Sequence, residues 1–149
     1  MLLLAACSGP LAPRNAVPFT PPSWYRALYE HDQACSGGKR EWAELSWYWV
    51  PGTSFSYDGS QDAGLTDGRA GRIYLSQDYL SNPLVIRHEM LHALLRSTPG
   101  HPHEFFYVRC LLMWSNYFTS ANARAQWVDD SILFQYEQTH GGQLDVPRE

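Results

Sequence analysis

The spacing of apolar residues changes several times along the chain, and each change predicts an element. Trp24, Ala27, Leu28, His31 and Cys35 recur at helical spacing; Ser23 can cap the start of that helix and Ser36-Gly37-Gly38 can stop it. Residues 45–50 are rich in aromatic and β-branched side chains and end at Pro51-Gly52, the pattern of a central strand. Residues 53–57 read as a second strand, with Asp58-Gly59 as its turn. Residues 58–71 are mostly Gly, Asp, Ser and Ala and read as a loop. In Arg72–Ser76, Ile73 and Leu75 alternate with Arg72 and Tyr74, as in a strand. A second helix begins at Ser81 or Asn82 with Pro83 in its first turn. It carries Leu84, Ile86, Met90, Leu91, Leu94 and Leu95, and should stop near Ser97, ahead of Pro99-Gly100. A further amphipathic helix is expected from Pro102 to about Phe118, and Ile132, Phe134 and Tyr136 alternate like a strand.

Composition narrows the class. At 149 residues, 44% hydrophobic and 14% aromatic, the chain is suited to one folded domain rather than to disorder. A net charge of -4 without any Lys/Arg cluster argues against a nucleic-acid partner. The N-terminus, Met1 to Cys7, is apolar and ends Leu4-Ala5-Ala6-Cys7, which resembles the lipobox of bacterial lipoproteins. That likeness implies lipidation of Cys7 and a membrane anchor. The positive n-region and a full-length apolar run are missing, and a true start upstream of Met1 would supply both. Residues 8–22 read as a Pro-rich tether and residues 23–149 as the domain. The expected location is the cell envelope, facing periplasm or exterior. In an exported chain, Cys35 and Cys110 are then a candidate disulfide.

The chemistry concentrates in residues 88–103, which hold four of the six histidines. His88 and His92 are four apart, so on a helix both imidazoles can reach one metal ion. Glu89 between them is placed to act as general base. A catalytic zinc takes three protein ligands and keeps one position open. Past the Pro99-Gly100 reversal, His101 ranks first as third ligand, His103 second and Glu104 third. Tyr74, Tyr107 and His103 are candidate oxyanion donors, and Asp78 or Glu104 could orient the helical histidines. His31 reads as a packed helix histidine. Asp58, Asp62 and Asp67 do not match the spacing of a calcium loop.

The run from His88 to Leu95, followed by Gly100-His-Pro-His-Glu-Phe105, resembles the zincin metallopeptidases, in particular the SprT-like pattern of H-E-x-x-H followed by G-H-x-x-x-F. The likeness implies His88, His92 and His101 as zinc ligands, Glu89 as general base and Phe105 packed behind them. It implies an α+β, zincin-like fold, with a small mixed or antiparallel sheet beside the H-E-x-x-H helix. Pro102 stands where that pattern has a second Gly, and no Met-turn follows. The expectation is a zinc-dependent hydrolase acting on peptide or protein, with a peptide laid along Arg72–Ser76. The alternative is a zinc-binding envelope lipoprotein without turnover, serving as a binding or assembly module.

Overall fold

The computed structural model describes residues 12–57, 59–96 and 100–112, and the isolated Gln138. Its elements are β1 (Val17–Pro18), α1 (Trp24–Ser36), β2 (Ser46–Val50), β3 (Phe55–Tyr57), β4 (Ser60–Asp62), β5 (Gly64–Asp67), β6 (Arg72–Ser76), α2 (Pro83–Leu95) and a π-helical turn, Glu104–Arg109. The fold is α+β. A four-stranded mixed sheet runs in the order β1-β2-β6-β5, and β3 and β4 form a separate hairpin. Strands β2 and β6 are parallel; β1 and β5 are antiparallel to their neighbours.

Side-chain alternation separates the two faces of the sheet. Trp47, Ile73 and Leu75 face both helices, in a core with Trp24, Tyr25, Leu28, Tyr29, Ile86 and Met90. Tyr48, Val50, Leu65 and Tyr74 face the other way and pack with Phe55 of the hairpin. Helix α2 is buried on most of its circumference, Leu84 to Arg87 and Glu89 to Leu94, so few of its positions are free for solvent. Asn82 caps it: its Oδ1 accepts from the amides of Leu84 and Val85 at 3.0 and 3.2 Å.

Several expectations change. Ser23 precedes α1 but makes no side-chain cap; Gly37, left-handed at φ 74°, ends the helix as expected. Helix α2 runs to Leu95 and is capped by Arg96, at φ 53°, in keeping with the expected stop near Ser97. The stretch read as loop contains β4 and β5. Its Gly, Ala and Asp residues disfavour strands in isolation, and pairing with β3 and β6 overrides that preference. The segment read as tether contributes β1, where Pro18 is tolerated because the strand lies at the sheet's edge. Phe19 follows it into the core, edge-on to Tyr25 and Trp47. The helix expected to reach Phe118 closes instead at Arg109, and Leu111 turns left-handed at φ 54°. Cys7, the Pro99 reversal and the alternation at Ile132 to Tyr136 lie outside the described residues. Among the described residues, no helix is long and apolar enough to cross a membrane.

One buried network ties α1, α2 and the π-helical turn together. Arg87 Nε donates to Asp32 Oδ1 at 2.8 Å, and both side chains are almost wholly buried. Arg87 also reaches His31 Nδ1 at 3.1 Å and the Cys110 carbonyl at 3.3 Å. Cys110 and Cys35 are disulfide-bonded, with Cα atoms 5.4 Å apart. The pairing expected from the cysteine count is thus present.

Candidate metal centre

Helix α2 puts His88 and His92 one turn apart, and the chain beyond it returns His101 to the same place. Nε2 of His88 lies 3.3 Å from Nε2 of His92 and 3.0 Å from Nε2 of His101. Ligand nitrogens about 2.0–2.1 Å from a tetrahedral zinc would stand roughly 3.3 Å apart, so the spacing fits the ion. The donor set fits as well, since neutral imidazole suits borderline metals such as zinc. Burial, then the neighbouring His92 and His101, hold the His88 pKa down to about 3, and burial also lowers that of His101. Both are therefore neutral at physiological pH, the form that binds metal.

Phe106 forms the floor. It is fully buried, and its ring centroid lies 5.1, 4.7 and 4.9 Å from those of His88, His92 and His101. The packing role expected of Phe105 therefore falls to its neighbour. Phe105 is only half-buried, packs against the cluster of Leu91, Phe106, Cys110 and Leu112, and carries Arg109 over its ring. The π-helical winding turns Phe106 rather than Phe105 toward the histidines.

Glu89 faces β5. The residue is 5% exposed, and Oε2 accepts a 2.7 Å hydrogen bond from the Thr66 hydroxyl. Gly64, two residues earlier on the strand, lets the carboxylate approach: a Cβ there would fall 2.6 Å from Glu89 Cγ. In the metal-free protein, burial raises the Glu89 pKa to about 8; the Thr66 hydrogen bond opposes this and Asp62 adds to it. A nearby dication would favour the ionised form. Neither Thr66 nor Gly64 was legible as a site residue, because both fell in the stretch whose composition reads as loop.

The other candidates sit elsewhere. His103 is exposed and stacks on Tyr107 at 5.0 Å, and Glu104 is exposed and pairs with Arg109 at 3.9 Å, so among the three candidate third ligands only His101 joins the cluster. Tyr74 is buried against Tyr48 on the sheet face turned away from α2, which removes it as an oxyanion donor. Tyr107 is exposed on the π-helical turn, stacked on His103. Asp78 is exposed in a short 3-10 turn before α2, and the buried Nδ1 of His88 has no hydrogen-bond partner among the described residues. Strand Arg72–Ser76 is paired along both edges, by β2 and β5, so no peptide can add to it. Among the described strands the free edge beside the histidines belongs to β5.

No protein-family model, curated protein or solved structure matches the chain.

Proposed function

We propose that this chain is a zinc-dependent hydrolase of zincin type, most simply a peptidase. The observation that carries the reading is the convergence of three imidazole nitrogens at 3.0 and 3.3 Å with a buried carboxylate on the same helix. His88, His92 and His101 would hold the ion. When bound, zinc supplies a Lewis acid that polarises the scissile carbonyl and acidifies water. Glu89 takes the proton of the attacking water and returns it to the leaving amine. A binding module has no use for a base in that position, and this favours turnover. Strand β5 offers its edge to an extended substrate, which would run beside Glu89. The Cys35–Cys110 bridge supports placement in an oxidising compartment, in keeping with an envelope protein anchored through Cys7.

Elemental analysis should find one zinc per chain. Glu89→Gln should keep the metal and stop hydrolysis of a peptide library. Absence of stoichiometric metal sinks the proposal; bound zinc with no cleavage by the wild type would leave a zinc-binding module.

A further inference from the structure

Glu89 is clamped from β5 by two residues on one face of the strand. Gly64 and Thr66 alternate with Leu65, whose side chain packs on the opposite side of the sheet. Gly64 brings bare backbone against the carboxylate; a Cβ at that position would meet Oε1 at 2.7 Å. Thr66 Oγ1 lies 2.7 Å from Glu89 Oε2 and 3.0 Å from the Glu89 backbone carbonyl. Thr66 is itself buried, 3% exposed, so water does not compete for its hydroxyl.

A hydroxyl carries one hydrogen and two lone pairs. Against an ionised Glu89, Thr66 donates to Oε2. Against a protonated Glu89, the same oxygen can accept from the carboxyl O–H while its own hydrogen turns to the Glu89 carbonyl. Both partners are already within reach, so the carboxyl group need not move when its charge changes.

We infer that Thr66, with Gly64, is the positioning element of the general base: its hydroxyl holds Oε2, and the bare Gly64 backbone lets the carboxylate lie against β5. This rests on the hydrolase reading of the site. A carboxylate free to rotate would lose the approach to the attacking water, and misplacement by about 1 Å can cost roughly 100-fold in rate.

The test uses the zinc-loaded full chain. Thr66→Val keeps the side chain's shape and removes the hydroxyl; Thr66→Ser keeps the hydroxyl. In Thr66→Val, kcat on a peptide cleaved by the wild type should fall roughly 10- to 100-fold. KM should stay within about twofold and zinc content should not change, because the loss is confined to the reacting geometry. Thr66→Ser should recover most of the rate. A crystal structure of zinc-loaded Thr66→Val should show the Glu89 carboxylate rotated off β5, a readout that holds even if no peptide substrate is found. Should Thr66→Val not fold, Thr66→Ala serves for both measurements. The inference is overturned if Glu89 keeps its place without the hydroxyl, if kcat is unchanged, or if Thr66→Ser is as impaired as Thr66→Val. A wild type that cleaves nothing refutes the hydrolase, while the position of Glu89 still decides the clamp.

Discussion

Among the described residues, two clusters each bring three metal-capable atoms within 4.8 Å of one another: His88, His92 and His101, and His31, Asp32 and Cys35. They are finished in opposite ways. In the second, the cation is already part of the protein. Arg87 donates to Asp32 and to His31 Nδ1, and since a guanidinium only donates, that nitrogen must be the acceptor. Cys35 is spent in the disulfide. The first cluster is made of imidazoles whose lone pairs converge, and its only acid, Glu89, is turned toward Thr66 rather than toward a basic side chain. Proximity of ligand atoms is common to both; what distinguishes the candidate metal centre is that none of the described hydrogen bonds brings a basic side chain other than histidine to its nitrogens.

That contrast can be broken most directly at the ligands. His88→Ala or His92→Ala should take zinc from one per chain to none, whereas His31→Ala should leave it at one, read by mass spectrometry of the purified protein. The next effect falls on stability. Asp32→Ala leaves Arg87 charged and buried without its partner, and should cost about 3–5 kcal/mol. Calorimetry should show this as a fall in Tm of roughly 10–20 °C. Replacing both Cys35 and Cys110 by Ser removes a bridge between residues 75 apart and should cost about 2–4 kcal/mol. It also loosens the turn that carries Phe106, so zinc affinity should drop by roughly tenfold in a competition titration with a chelator. Unchanged affinity would mean that the two clusters are independent.

A further effect, visible only as pH changes, concerns Glu89 in the metal-free protein. Its folded pKa is raised from 4.5 to about 8. Below 4.5 it is protonated whether folded or unfolded, so it favours neither state. Between 4.5 and about 8 the folded chain retains a proton that the unfolded chain releases, and stability falls as pH rises. Metal-free Glu89→Gln should therefore melt with the wild type at pH 4.5 and above it at pH 8, measured by calorimetry in a chelating buffer.

The two clusters also differ in how far they are legible in the sequence. His88 and His92 are local, since a helical period places them, and the Asn82-Pro83 start marks where that helix begins. His101 follows from the need for a third ligand after a reversal. Arg87 and Asp32 are 55 positions apart, and nothing in either's neighbourhood announces that they will meet. The clamp from β5 was hidden for another reason: Gly64 is valuable for lacking a side chain, and composition counts such a residue as a breaker. Choosing Phe106 over Phe105 required the winding of a turn too short to leave a period.

Pro18 has a consequence for self-association. One border of the sheet is a two-residue strand whose second member has no N–H to offer a newcomer. Among the described strands the other border, β5, carries no such block, so a second copy extending this sheet would dock along Gly64–Asp67. On the proposed reading it would then lie where an extended peptide would lie, so the protein's own copies would compete with substrate for that edge.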